Sequence, residues 1–327
     1  MKQLACLDAA TLKTHSDNYK SNAIVEIDRL LNSGFSPCPV QRRYLQRIRS
    51  FVDKDECLIA EADSLKGMVE QIEREFFQWE KDVPPMLDSL NKRLVKAFPY
   101  ADFRDKAKEG GAWLMRQLVK EVKYCPYCNA ETVYSVERDE QGDIKSSFDH
   151  FYPKGRYPFL AISLYNLIPS CYRCNSQFKK GLFKEPFGTF HPYIDDLDRE
   201  VEFYLSGLTD DMLNGKVCSD GLSIKLKARD ISDLEVTRRV GDYNIVFALD
   251  SVYTQLFADD ALDVFRKAKI FNEHYLAMVA KWFRGAGIEV SVEKIIYNTI
   301  LNRADINKYR LSKLIQDLRA QCTSRLG

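Results

Sequence analysis

Tyr124-Cys125-Pro126-Tyr127-Cys128 and Cys171-Tyr172-Arg173-Cys174-Asn175 enclose Phe148-Asp149-His150 and Tyr165-Asn166-Leu167, and this stretch decides how the chain reads. Two Cys-x-x-Cys knuckles, separated by 42 residues, can each supply half of a tetrahedral thiolate site of the kind that suits zinc. Such a site is closed, and it clamps a segment whose own apolar core is too thin to hold a shape. The chain has nine cysteines, an odd number, and the remaining five are Cys6, Cys38, Cys57, Cys218 and Cys322. Isolated as they are, these five read as small apolar residues or surface thiols.

Working outward, the residues after Cys128 change to short extended runs. Thr132 to Val136 alternates, 139–143 is a turn cluster, Ile144 to Phe151 is extended again, and Leu167 to Ser170 is the expected partner strand. Asn175 to Lys180 carries no breaker before Gly181, so a short helix is expected to begin at the second knuckle. The order strand, long connection, strand, helix defines a small α+β insert.

The flanks read as helical. Apolar positions Ala23, Ile24, Ile27, Leu30 and Leu31 share one face of a helix expected to start at Ser16-Asp17, and further helices are expected near 40–54, 57–81, 86–97 and 112–122. Phe76, Phe77 and Trp79 read as packing residues. A hairpin is expected from 201–205 and 222–226. Beyond it, Val264, Ala268, Phe271, Tyr275, Met278 and Trp282 alternate steps of four and three, which predicts one buried helical stripe ended by Gly285 and Gly287. Helices near 291–302 and 304–320 follow. The expected fold is therefore mainly α with a small zinc-stabilised α+β insert, divided as 1–120 (helical scaffold or docking region), 121–190 (the cysteine-bounded domain) and 191–327 (hairpin, then helices).

At 327 residues, with 45% hydrophobic and 29% charged residues, the chain has room for a sizeable core, which argues against a disordered class. No stretch approaches the ~20 apolar residues of a membrane span, and an acid interrupts the apolar part of the first ten residues; a cytoplasmic location is expected. Net charge is +1 and says nothing about partners. Its distribution does: from Lys145 to Lys184 seven bases face Asp149 alone, the pattern of a phosphate-facing surface or of a solvated basic face.

Asp149, His150, Asn166 and Asn175 carry the candidate chemistry. A neutral imidazole is suited to take a proton from water, and a carboxylate with an amide oxygen can hold a hard divalent ion beside a phosphodiester. Residue by residue, these four also read as a surface Asp-His pair and ordinary capping asparagines. As a set they resemble the HNH (ββα-metal) nucleases: Phe148-Asp149-His150, then Asn166, then Cys174-Asn175, flanked by two zinc knuckles, with Asn175 where many members have histidine. The resemblance implies that His150 is the general base, that Asp149 and Asn175 bind the catalytic ion (Mg²⁺ or Mn²⁺), and that Asn166 fixes the loop that orients His150. It also implies that Cys125, Cys128, Cys171 and Cys174 hold structural Zn²⁺. Lys154, Arg156, Arg173, Lys179 and Lys180 are then the expected contacts to nucleic acid, DNA or RNA.

A looser resemblance covers more of the chain. Tyr157 to Ala161, Phe190-His191-Pro192-Tyr193, the hairpin and Phe247 to Tyr253 are similar to the PtuB-like HNH subunits of Septu-type anti-phage systems, some of them retron-associated. That implies an ABC-type ATPase (PtuA-like) partner. The chain has no phosphate-binding loop of its own, since 214–217 lacks the first glycine and the hydroxyl. The competing expectation is a non-catalytic zinc-stabilised module that binds nucleic acid or protein.

Overall fold

The computed structural model describes residues 1–32, 37–106, 108–137, 144–179 and 188–326, which form two compact units. It is mostly helical, with three two-stranded sheets and an isolated bridge as its β-structure among the described residues.

One unit comprises Leu4–Lys120 and Tyr134–Ser170. Its first helix, α1 (Ala9–Asn32), begins earlier than the expected Ser16-Asp17. The cause is Asp8, whose carboxylate accepts the Thr11 N–H at 2.9 Å and the Thr11 hydroxyl at 2.7 Å and so closes the first turn. Helix α2 (Pro39–Asp53) has proline in its first turn and buries Tyr44, Leu45, Ile48, Phe51 and Val52, the three-and-four spacing of a core-facing stripe. The expected helix over 57–81 is divided. Ala60 is extended between α3 (Glu56–Ile59) and α4 (Ala62–Ile72), and Glu73–Phe77 continues as π-helical turns.

Two successive residues, Gln78 and Trp79, then take left-handed backbone (φ 54° and 61°), which ends the helix. Phe77 is fully buried, whereas Trp79 stands exposed. Helices α5 (Pro85–Leu94), α6 (Tyr100–Asp105) and α7 (Gly111–Leu118) follow, then β1 (Ser135–Val136) paired with β2 (Ile144–Lys145), and β3 (Ser147–His150) paired with β4 (Leu167–Ser170).

The other unit comprises Met1–Gln3, Glu121–Val133 and Cys171–Gly327. Its centre is the hairpin of β5 (Val201–Ser206), which follows α8 (Leu197–Glu200), and β6 (Ser223–Ala228), which follows α9 (Asp210–Leu213). The alternation read in the sequence is real: Val201, Phe203, Leu205, Ile224, Leu226 and Ala228 are buried.

Two strands alone leave both edges unpaired, and here helix side chains occupy them. On the β5 edge, Lys313 Nζ donates to Val201 O (2.7 Å), Asp317 accepts the Phe203 N–H (3.0 Å), and Gln321 both accepts the Leu205 N–H (3.0 Å) and donates to its carbonyl (2.8 Å). All three lie on α15 (Ser312–Leu326) at four-residue steps, about 6 Å of helix rise. The bonded strand residues recur every second position, about 6.7 Å, so the two repeats stay in step. On the β6 edge, Thr254 and Asp250 of α11 (Leu249–Leu256) do the same for Ile224 and Leu226.

Lys313 and Asp317 are wholly buried and paired at 2.6 Å; Asp198, Arg229 and Arg303 complete the network. Burial lowers the Lys313 pKa while Asp317 and Asp198 oppose that shift. Lys313→Met is expected to cost about 3–5 kcal/mol, because it removes the buried cation from two buried carboxylates and leaves only Arg229 and Arg303 to balance them. A urea midpoint equal to that of the parent protein would rule out this role.

Between β6 and α15 run α10 (Leu234–Phe247), α11, α12 (Ala258–Ile270), α13 (Glu273–Gly285) and α14 (Val292–Tyr297). The single buried stripe expected over 264–282 is not found. The helix breaks at Phe271, Asn272 caps a new one by accepting the Tyr275 N–H at 2.9 Å, and Tyr275, Met278 and Trp282 face solvent. On α12 the stripe is partly right, with Val264 buried and Ala268 half-buried; on α13 the buried residue is Leu276, and the three expected residues lie on the exposed face that the asparagine cap sets.

Candidate metal centre and the Asp149–His150 hairpin

The first knuckle is a tight loop closed by backbone. Cys125 N–H donates to Glu131 O (2.8 Å), Asn129 N–H donates to Cys125 O (2.7 Å), and Tyr124 bridges Thr132. Asn129 takes left-handed backbone (φ 52°), a conformation asparagine tolerates better than most residues. In the second knuckle the Cys174 N–H donates to Cys171 Sγ at 3.4 Å and the Asn175 N–H to Cys171 O at 3.1 Å. Arg173–Phe178 then runs as π-helical turns, so the expected helix starts two residues before Asn175.

These loops bring Cys125, Cys128, Cys171 and Cys174 together, all buried, with every Sγ within 4.8 Å of the others and Cys128 Sγ 3.9 Å from Cys171 Sγ. Tetrahedral zinc with Zn–S bonds of ~2.3 Å needs sulfurs about 3.8 Å apart, so the donor set fits the ion in both number and spacing. Burial pushes the Cys125 thiol well up, while hydrogen bonds from the three neighbouring thiols hold Cys128 well below its usual range. A cation among the sulfurs resolves that conflict, because it stabilises every thiolate at once. The four cysteines are positioned for structural zinc.

Helices that the sequence did not connect to the cysteines hold the first knuckle. Tyr243 (α10) donates its hydroxyl to Tyr127 O at 2.8 Å, Tyr253 (α11) donates to Cys128 O at 2.5 Å, and the Tyr127 and Phe247 rings stack at 4.7 Å. Burial raises both tyrosine pKa values and the neighbouring cysteines add to it, so the hydroxyls stay protonated and keep donating. Asn129 donates to Ile306 O and accepts the Lys313 N–H, tying the knuckle to α15. Asn129 was not singled out in the sequence, although an asparagine directly after a knuckle cysteine is a signal for such a turn; Tyr253 entered only as part of the 247–253 segment, and nothing in the sequence tied either tyrosine to the cysteines.

Asp149 and His150 end β3, where Asp149 faces Ile168 and His150 faces Leu167 across the antiparallel pair. Asp149 is buried and His150 half-buried. His150 Nε2 lies 2.9 Å from Ala161 O. A carbonyl only accepts, so Nε2 carries the proton and Nδ1 is the nitrogen able to take one. The imidazole rests edge-on against Tyr100 at 4.4 Å, and Lys154 Nζ lies 4.2 Å from the centre of that same tyrosine ring. Burial and Arg104 lower the Lys154 pKa. Tyr100 had no signal in the sequence that marked it as a neighbour of His150.

Asn166 is fully buried and binds the loop on both sides. Its Oδ1 accepts the Tyr152 N–H (2.7 Å), and its Nδ2 donates to Tyr152 O (3.1 Å) and Leu160 O (2.9 Å). The Phe151 N–H, next after His150, donates to Asn166 O at 2.9 Å. Asn166→Ala is expected to cost about 2–4 kcal/mol, since it removes three buried hydrogen bonds to Tyr152 and Leu160. An unchanged urea midpoint would count against that expectation.

The basic residues sit in varied settings. Arg156 pairs with buried Glu73 (2.6 Å) and donates to Lys81 O and Glu80 O. Arg173 pairs with Glu131, and Lys179 is buried. Lys180 lies outside the described residues. His191 is buried, accepts the Tyr193 N–H at Nδ1 (3.2 Å), and is pushed down to about 3 by burial and by Lys179. No helix among the described residues is long and apolar enough to cross a membrane.

Comparison with known proteins matched no family model and no solved structure. Two curated proteins are similar over part of the chain. Protein ea31 of Escherichia phage lambda is 34% identical over 114 residues, 34% of this chain and 34% of its own length. The Septu protein PtuB of Bacillus thuringiensis is 33% identical over 99 residues, 29% of this chain and 37% of its own length. The matches thus span little more than a third of either relative, and within that span the chain is similar to a Septu protein.

Proposed function

We propose that the chain is a metal-dependent HNH-type endonuclease that hydrolyses phosphodiester bonds in DNA or RNA. The observation that carries the reading is the state of His150: its Nε2 proton is committed to the Ala161 carbonyl at the end of β3, directly after buried Asp149 in the sequence and before the Tyr152 loop that Asn166 binds. A binding module has no need of an imidazole held in that tautomer.

In the proposed reaction His150 Nδ1 accepts a proton from water as the water oxygen bonds to phosphorus. The P–O bond to the leaving oxygen breaks, and that oxygen takes a proton from solvent. Asp149 offers a carboxylate and Asn175 an amide oxygen, a donor set suited to Mg²⁺ or Mn²⁺. Such an ion would supply charge stabilisation at the phosphoryl and leaving oxygens. Lys154, Arg173, Lys179 and Lys180 would contact the phosphate backbone; Arg156 would do so only in competition with Glu73.

The domain at 121–190 is the nuclease in this reading, and the helical regions 1–120 and 191–327 are its scaffold and docking surfaces. The similarity to a Septu protein supports reading the chain as a Septu-type component; in this proposal it acts in bacterial anti-phage defence, in the cytoplasm, beside an ABC-type ATPase. The test compares parent and His150→Ala protein, both zinc-loaded, on plasmid and RNA in Mg²⁺ or Mn²⁺. Equal cleavage by the two proteins would refute the assignment.

A further inference from the structure

Away from the hairpin, α2 and the π-helical turns after α4 border a groove of about 380 Å³ lined by Arg43, Gln46, Arg47, Glu75 and Phe76. That volume lies within the ~300–1,000 Å³ of small-ligand sites. Arg43, Gln46 and Arg47 fall at i, i+3 and i+4, so two guanidiniums and an amide project from one face of α2. Arg47 is held by Glu75 through both carboxylate oxygens at 3.1 to 3.3 Å, and Gln71 steadies that carboxylate from the other side at 2.8 Å. Arg43 is exposed, and among the described residues no acidic side chain pairs with it. Two positive charges against one carboxylate, which pairs with Arg47, leave the groove cationic through Arg43.

Phe76 supplies a flat apolar wall. It is half-buried, and Tyr44 braces it edge-on at 5.2 Å. The wall exists because the helix widens here. Isolated π-helical turns recur at functional sites, and this one separates Glu75 and Phe76, on the groove, from Glu73, which is buried and bound to Arg156.

Guanidiniums recognise phosphate through their fixed fork of donors, and an aromatic face accepts any nucleobase by stacking. We propose that this groove binds a nucleotide unit, its phosphate on Arg43 and Arg47 and its base over Phe76, with Glu75 and Gln46 available to ribose or base polar groups. The unit is either a free mononucleotide or one nucleotide of a single strand. The site does not depend on the nuclease reading.

The experiment titrates the 327-residue His150→Ala protein, zinc-loaded and without added divalent ion, with adenosine 5′-monophosphate and separately with a short oligothymidylate, by calorimetry. Arg43→Ala is expected to weaken binding at least tenfold and Phe76→Leu severalfold. Arg42→Ala, which removes the neighbouring exposed arginine outside the groove, is expected to leave it unchanged. Binding of the mononucleotide with this mutational pattern assigns a free nucleotide, and binding of the oligonucleotide alone assigns a strand. The proposal is overturned if neither probe binds at millimolar concentration, or if Arg43→Ala binds as tightly as Arg42→Ala.

Discussion

Cys171→Ser is expected to lose most of the bound zinc and to lower the melting temperature by tens of degrees. Structural zinc contributes about 10–16 kcal/mol of apparent binding free energy in small metal-folded domains, against a total stability of about 5–15 kcal/mol for a typical domain. A serine hydroxyl is a poor replacement for a thiolate in a soft, buried donor set. The damage should spread beyond the second knuckle. The first knuckle is bound to α10, α11 and α15 by Tyr243, Tyr253 and Asn129, so loosening the ion releases three hydrogen-bonded anchors of the same unit. Cys218→Ser is the matched control: Cys218 is exposed and outside the cluster, and its replacement should stay within about 0.5 kcal/mol. Metal content by atomic spectroscopy and melting by calorimetry read both variants. Full zinc and a parent-like melt in Cys171→Ser would show that the four sulfurs do not share an ion.

The cysteine cluster was legible because its signal is local and chemical: paired spacing fixes two half-sites, and few other uses compete for four buried thiols. The strand pairing of 147–150 with 167–170 was legible for a similar reason, since extended runs bounded by turn residues have few partners nearby in sequence. What was not legible depends on distant residues or on single caps. Asp8 started α1 a full two turns early by closing the first turn through Thr11. Asn272 interrupted a period that otherwise ran unbroken through 264–282, and so Tyr275, Met278 and Trp282 reach solvent rather than core. The pairing of α15 with the β5 edge needs Lys313, Asp317 and Gln321 to meet a strand more than a hundred residues away. Their four-residue spacing is visible in the sequence, but on its own it reads as an ordinary polar face. A buried polar stripe and a solvated one look alike until the partner strand is known.

His150→Ala is expected to reduce cleavage by about 10²–10⁴-fold, the usual contribution of a positioned general base, while leaving zinc content and the urea midpoint near those of the parent. The side chain hydrogen-bonds Ala161 O and rests against the Tyr100 ring; losing these contacts from a half-buried site costs about 1 kcal/mol, a small part of the total. The loop itself does not rest on His150, because Asn166 binds Tyr152 and Leu160 independently. The substitution thus separates chemistry from structure, which Asn166→Ala cannot do. His150→Gln sharpens the comparison: its amide can still donate to the Ala161 carbonyl, but it has no basic nitrogen. Restored stability without restored cleavage in that variant would locate the effect in proton transfer. Equal cleavage by parent, alanine and glutamine proteins would mean that His150 takes no part in catalysis, and the chain would then read as a zinc-stabilised binding module.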